Sequence, residues 1–143
     1  IYEHAGVDVA FSYGKNIFIN PKKIQAQDLP NIILHEQKHI DARHGLDLWV
    51  IQIYRTLFWY NPILRWYQQE ILQNHEWIVD EYMTQQVPPQ AYQLQLVKYQ
   101  THTPQKHLAN SFAISNLKKR ILFMNQKPTS KWKLSLFATS FLA

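Results

Sequence analysis

Two histidines and a glutamate in the run His35-Glu36-Gln37-Lys38-His39 are the residues of this chain best suited to chemistry. On a helix, residues four positions apart lie on the same face, so His35 and His39 are placed to bind one zinc ion. Glu36 lies beside the first ligand, where its carboxylate reaches the water that attacks a carbonyl rather than the metal. Because chance produces such a pattern in on the order of one per cent of chains of this composition, a third ligand is the independent test.

Catalytic zinc sites use three protein ligands and leave one position for water, and the third ligand has two candidates here, His44 and Glu76. His44 follows the zinc motif, but the longer, Gly-containing spacing that brings a downstream histidine back to the metal is absent. Glu76 is followed one helical turn later by Asp80, which is then placed to accept a hydrogen bond from a ligand histidine, His35 in particular. The predicted ligands of the one zinc per chain are therefore His35, His39 and Glu76. His44 stays as the alternative ligand or as a hydrogen-bonding partner of the ligands.

The chemistry expected of such a site is hydrolysis of a peptide bond. Zinc lowers the pKa of its water toward about 7 and polarises the scissile carbonyl, and Glu36 carries the water's proton to the leaving amine. The tetrahedral oxyanion needs a further hydrogen-bond donor. Its candidates are His4, Tyr82, His102 and His107, and the sequence does not choose among them.

A small β-hairpin is predicted before the zinc motif. The β-prone runs VDVAFSY and NIFIN flank Gly14-Lys15, which favours a hairpin over residues 7–20. An exposed edge of this hairpin is a candidate for binding a peptide substrate by strand addition.

The rest of the chain is predicted to be helical. The helix that carries the zinc motif is expected to begin at Asp28 or Asn31, to continue through His44 and to stop at Gly45. An apolar stretch at 46–60 follows and is broken by Asn61-Pro62. Further helices are predicted at 63–87, 91–100 and 117–124, with a loop at 101–106. The predicted fold class is therefore α+β and predominantly helical.

The order of these elements resembles one known family. The segments HEQKHI, FWYNPILRWYQQEI and HEWIVDEYM resemble the zinc helix, the aromatic Asn-Pro stretch and the Glu-x-x-x-Asp helix of BlaR/MecR-type metallopeptidases. FSYGKNIFINP resembles the segment that precedes the zinc helix in that family, and LANSFAISNLKKRILFM resembles its Ser-Phe and Leu-Lys-Lys-Arg-Ile element. The resemblance extends over residues 7–131, and its specificity lies in the order of the separate elements.

The resemblance implies a membrane-embedded, signal-transducing protease with a gluzincin-like core and two zinc-binding helices. It implies the same site residues: Glu36 as base, Asp80 beside the ligands, and His35, His39 and Glu76 as ligands. The implied substrate is a cytoplasmic regulator such as a repressor, or the protease itself, at the cytoplasmic side of a bacterial inner membrane. This chain has His44 where many members carry Asp, which leaves open the hydrogen bonds around the ligands and the regulation.

Composition and charge favour a domain beside a membrane. The chain has 143 residues, 46% of them apolar, and no Cys, which fits one packed domain whose metal site uses His, Asp and Glu. The net charge is +5, and no acidic residue follows Glu81, so the C-terminal half is basic. The uncharged run 134–143 follows three lysines, which predicts a peptidase domain over 1–133 and, after it, the start of a transmembrane or terminal apolar helix.

The aromatic segment at 46–67 contains too many polar residues to span a membrane. It is expected to pack in the core, or to lie at the membrane interface through its large aromatic residues: Trp49, Phe58, Trp59, Tyr60, Trp66 and Tyr67. Direct binding of nucleic acid is not expected, because the chain has no recognition motif and its aromatic residues lie apart from most of its lysines.

The alternative function is that of a non-catalytic, zinc-containing membrane scaffold joined to an envelope energy-transducing (TonB-like) protein. Glu36 argues against this alternative, because a structural zinc site has no use for a base beside its ligand.

Overall fold

The structure of the chain is a computed structural model that describes residues 1–4, 6–7, 9–102 and 107–126, with the backbone alone at 100–102 and 107–113. The strands in the described part are β1 (Tyr2–Glu3), β2 (Phe11–Tyr13) and β3 (Asn16–Ile19). The helices are α1 (Leu29–Asp41), α2 (His44–Leu57), α3 (Ile63–Gln86), α4 (Pro89–His102) and α5 (His107–Met124). The predicted α+β class, predominantly helical, is confirmed.

The predicted hairpin is present as β2 and β3, which pair antiparallel with Phe11 opposite Phe18. Gly14 makes the turn at a φ of 61°, a left-handed value that Gly adopts without steric cost. A further strand, β1, was not predicted from the sequence; it pairs parallel to β3 and gives the strand order β1-β3-β2. β2 therefore forms one edge of the sheet.

Apolar side chains hold the sheet against the zinc-motif helix. Ile17 and Ile19 are two residues apart on β3, so they share one face of the sheet and are buried together. Ile32, Ile33 and Ile40 of α1 pack against this cluster. The hairpin is thus positioned along the helix that carries His35, Glu36 and His39.

The end of α1 differs from the prediction. Asp28 directly precedes α1, in agreement with one of the two predicted starts. The helix ends at Asp41, however, and not at His44. Arg43 adopts a left-handed conformation, with a φ of 56°, and reverses the chain. His44 and Gly45 lie in the first turn of α2, so Gly45 is not the stop of α1.

Helix α3 is the central element and agrees with the predicted span within one residue at its C-terminal end. It packs against α1, α2, α4 and α5. Val79 and Met83 are fully buried on α3, where they form an apolar cluster with Tyr92 of α4. The packing around α3 therefore joins the four other helices.

Helices α4 and α5 are both longer than predicted. α4 continues through 101–102, which were predicted as loop, and α5 begins at His107 rather than at 117. Residues 103–106 lie outside the described part of the chain, and so does the predicted apolar helix at 134–143 with its domain boundary. Among the helices that the structure describes, none combines the length and apolar character needed to cross a membrane.

Candidate metal centre

The three predicted ligands, His35, His39 and Glu76, meet between α1 and α3. The Nε2 atoms of the two histidines are 3.2 Å apart. They lie 3.7 Å (His35) and 3.6 Å (His39) from the carboxylate oxygens of Glu76. One ligand atom from each of the three residues lies within 4.8 Å of the others. Helix periodicity brings the two histidines together, whereas the packing of α3 on α1 brings in Glu76.

Tyr92 holds the other ring nitrogen of His35. Nδ1 of His35 lies 2.9 Å from the Tyr92 hydroxyl, and that hydroxyl donates to Oδ1 of Asp80 at 2.8 Å. Because the hydroxyl gives its one proton to Asp80, we assign a proton to Nδ1 of His35, which leaves a lone pair on Nε2. Asp80 therefore reaches His35 through Tyr92, and not by the direct hydrogen bond that was predicted.

His44 holds the other ring nitrogen of His39. The two Nδ1 atoms are 2.9 Å apart, and a proton on Nδ1 of His39 satisfies this bond while leaving Nε2 with a lone pair. His44 stacks on His75 with ring centroids 3.9 Å apart, and Nε2 of His75 lies 2.9 Å from Asp47. Of the two roles open to His44, this geometry is that of a hydrogen-bonding partner of a ligand.

Arg120 of α5 connects Glu76 and Asp80 and was not predicted as a site residue. Its guanidinium lies 2.7 Å from Oε2 of Glu76 and donates to both Asp80 oxygens, at 2.8 and 2.6 Å. Burial by itself would lower the pKa of Arg120, but the hydrogen bonds to Asp80 and the charge of Glu76 raise it. The fully buried Asp80 is therefore compensated by a bidentate ion pair.

Glu36 lies next to His35 and contacts the edge strand of the sheet. Ser12 of β2 donates hydrogen bonds to the Glu36 carboxylate from its hydroxyl and from its backbone N–H. Burial raises the pKa of Glu36 to about 7, and the charge of Glu76 adds to this while the Ser12 hydrogen bonds oppose it. A carboxyl group with this pKa takes up and releases a proton near neutral pH.

The two ligand histidines are neutral at pH 7. Burial lowers the pKa of His35 well below its usual value and that of His39 to about 4, with the charge of Arg120 as the next cause. Burial also raises the pKa of Glu76, which the charge of Arg120 opposes. Two imidazole nitrogens and the Glu76 carboxyl group converge on one point, and two imidazoles with one carboxylate suit zinc.

Two of the four candidate oxyanion donors, His4 and Tyr82, have side chains with contacts in the described part of the structure. The His4 side chain accepts a hydrogen bond from the backbone N–H of Gly6. The ammonium nitrogen of Lys38 lies over the ring of Tyr82, 4.6 Å from the ring centroid. The side chains of His102 and His107 lie outside the described part of the structure.

Sequence reasoning missed Ser12 and His75, and it also missed Tyr92 and Arg120. Arg120 lies in the Leu-Lys-Lys-Arg-Ile segment that carried part of the resemblance, which was the one available signal for it. Tyr92 had no such signal, because it lies 57 residues from His35 on a separate helix. Both are identified by their contacts with Asp80.

Comparison with known proteins adds no relative, because no family model, no curated protein and no solved structure matches this chain. The resemblance to BlaR/MecR-type metallopeptidases therefore stays a prediction from the sequence.

Proposed function

We propose that this chain is the zinc-dependent endopeptidase domain of a membrane-bound, signal-transducing protease of the BlaR/MecR type, built on a gluzincin-like core. The observation that carries the proposal is the convergence of His35, His39 and Glu76 on one point, with Glu36 adjacent to it. The second ring nitrogen of each histidine has its own partner, an arrangement that metal-binding histidines use almost always.

His35 and His39 would hold the zinc through Nε2, and Glu76 would hold it through its carboxylate. Zinc bound there supplies Lewis acidity, which makes a water molecule more acidic and a carbonyl group more electrophilic. Tyr92 and His44 fix the orientation of the two imidazoles. Arg120 holds Oε2 of Glu76, which favours a ligand that uses one oxygen and leaves room for water.

Glu36 is the proposed general base. In the metal-free chain its pKa is about 7, and its carboxylate would take a proton from the attacking water and then give that proton to the leaving amine. A carboxyl group with an ordinary pKa would be the weaker acid–base catalyst at neutral pH, because it would hold almost no proton to donate.

The edge strand β2 offers a place for the substrate. β2 pairs with β3 on one side, and within the described sheet its other side carries no partner strand. The hydrogen bonds from Ser12 to Glu36 put this strand in contact with the base. An extended peptide that adds to this edge of β2 would lie beside Glu36, and a main-chain hydrogen bond to the peptide would replace the one between the Ser12 N–H and Glu36. The proposed substrate is a cytoplasmic regulatory protein or the protease itself.

The test combines metal analysis with cleavage by alanine variants. The wild-type chain should bind about one zinc and cleave peptides from a random library or cleave itself. His35→Ala and Glu76→Ala should lose the metal, because each removes a ligand. Glu36→Ala should keep the zinc and lose cleavage, because it removes only the base. Glu81→Ala, on the exposed side of α3, is the matched control and should change neither property.

Three results would contradict the proposal in different ways. Normal cleavage by Glu36→Ala would exclude Glu36 as the base. Tight zinc in Glu76→Ala, together with its loss in His44→Ala, would make His44 the third ligand; the proposed arrangement predicts only a 10–100-fold loss of affinity for His44→Ala. Zinc binding by the wild type with no cleavage under any condition would favour the non-catalytic scaffold.

A further inference from the structure

The outer face of α2 is apolar and exposed. Its side chains recur at three- and four-residue spacing, so they form one stripe along the helix. Each member of the stripe is more than half exposed: Leu46, Trp49, Val50, Ile53 and Leu57. An exposed apolar stripe of this length marks an interaction surface.

The opposite face of α2 is the one that packs on the protein. His44 and Ile51 are buried there, and Leu48 and Arg55 are partly covered. The helix therefore has a face for the rest of the fold in addition to its exposed stripe. The stripe is not a core face left open by chance orientation, because the core face of α2 is already occupied by α3 and α1.

The apolar stripe continues across the turn between α2 and α3. Trp59 is 79% exposed and Trp66 is 72% exposed. Further exposed apolar and aromatic side chains surround them: Phe58, Tyr60, Ile63 and Tyr67. Trp and Tyr have apolar rings with a polar edge, and they are enriched where a membrane meets water.

A cleft with two guanidinium groups opens in this turn. Its volume is about 100 Å³, and its lining consists of Arg55, Phe58, Trp59, Asn61 and Arg65. Arg55 is oriented by a hydrogen bond to Gln68 of α3. Guanidinium groups bind phosphate oxygens in a fork geometry, so the cleft has the chemistry of a phosphate site.

The charged residues around the cleft are positive. Arg55 and Arg65 are the charged residues between Leu48 and Gln69. Asp47, in the first turn of α2 beside the stripe, is acidic and exposed, and its carboxylate lies 2.9 Å from Nε2 of His75. A surface that combines apolar side chains, interfacial aromatics and two arginines is complementary to an anionic lipid headgroup layer.

We propose that the stripe on α2 and the α2–α3 turn form a docking surface for an anionic phospholipid bilayer, with a lipid phosphate bound in the cleft between Arg55 and Arg65. The apolar and aromatic side chains enter the boundary between headgroups and acyl chains, and α2 lies in the plane of the membrane. This inference goes beyond the proposed peptidase activity and does not depend on the zinc centre.

The experiment measures binding of the chain to vesicles of phosphatidylcholine with or without phosphatidylglycerol, by co-sedimentation. Binding to the anionic vesicles should exceed binding to neutral vesicles and should weaken as salt is added. Arg55→Gln/Arg65→Gln should weaken binding to anionic vesicles roughly thirtyfold, the effect of two basic residues near such a surface. Lys15→Gln/Lys22→Gln removes the same charge from the exposed hairpin side and should have a much smaller effect.

A second variant tests the apolar contact without touching the arginines. Val50→Ser/Ile53→Ser should weaken binding to neutral and anionic vesicles alike, because it removes apolar area from the stripe. Both positions are exposed, so the fold is retained, and circular dichroism checks this.

Several results would overturn the inference. Equal binding to both vesicle types, unchanged in the double arginine variant, would exclude the phosphate cleft. The same loss for the lysine control would show that net charge alone is responsible. A chain that forms dimers through α2 and ignores vesicles would show that a second copy covers the stripe instead of lipid. A chain that binds inorganic phosphate in the cleft but does not bind vesicles would identify a soluble phosphate as the ligand.

Discussion

Two regions of the molecule differ in which side chains they bury. The centre between α1, α3 and α5 buries charged groups, whereas the outer face of α2 exposes apolar ones. At the centre, Asp80 is fully buried, yet its charge is compensated by Arg120 and by the Tyr92 hydroxyl. On α2, Trp49 and Ile53 are more than half exposed. Buried charges persist in a fold only when other groups compensate them, whereas exposed apolar side chains cost little stability and need a different medium or partner.

This contrast separates the two proposals made for this chain. The centre depends on interactions inside the protein, so changes to its buried charged residues should alter the stability of the fold. The α2 face depends on what lies outside the protein, so changes there should leave stability nearly unaltered.

Arg120→Met should destabilise the chain by about 3–5 kcal/mol, because it leaves the buried Asp80 without its compensating charge. The free energy of unfolding is measured by urea denaturation. Lys119→Met, on an exposed neighbour in α5, is the control and should change stability by less than about 0.5 kcal/mol. The double variant Asp80→Asn/Arg120→Met should recover part of the loss; a double variant as unstable as the sum of the single changes would contradict the compensation argument.

Met83→Ala and Ile53→Ala compare the interior with the α2 face directly. Met83 is fully buried on α3, so its truncation should cost about 2–5 kcal/mol through lost burial and a cavity. Ile53 is exposed, so its truncation should cost less than about 0.5 kcal/mol. Urea denaturation of both variants checks the difference. A large loss of stability in Ile53→Ala would mean that the α2 face is packed against the protein in solution.

Glu36→Gln should change how the stability of the metal-free chain depends on pH. The folded-state pKa of Glu36 is raised to about 7, chiefly by burial. Its favourable contribution to the free energy of unfolding is therefore fully present below about pH 4.5 and is lost as the pH rises through about 7. As the pH rises from about 4.5 to about 8, the free energy of unfolding of the variant, relative to that of the wild type, should therefore increase by up to about 3 kcal/mol. Urea denaturation in a chelator at several pH values measures this gain.

Glu70→Gln is the matched control for that experiment, because Glu70 is an exposed carboxylate on α3. It should leave the pH dependence of the wild type in place. A stability difference between Glu36→Gln and the wild type that stays constant with pH would show that burial does not perturb Glu36 in solution.

Several features were accessible from the sequence because they depend on residues close together in the chain. The hairpin follows from the two β-prone runs that flank Gly14 and Lys15, and the α2–α3 break follows from Asn61-Pro62. The facing histidines follow from their spacing within one helix. The reversal at Arg43 was not accessible in this way, since a left-handed conformation is unusual for Arg and Gly45 offered the more probable position on steric grounds.

Sequence by itself determined the donor types and the local geometry of half the centre: His35, Glu36 and His39 lie within two turns of α1, where backbone geometry fixes their relation. Tertiary structure alone decided the rest. The packing of α3 on α1 brings Glu76 to the histidines, and the placement of α4 and α5 puts Tyr92 and Arg120 on Asp80. It also brings Nδ1 of His44 to 2.9 Å from Nδ1 of His39. The physical reason is that contacts between distant segments depend on how whole helices pack, which no spacing rule within one helix specifies.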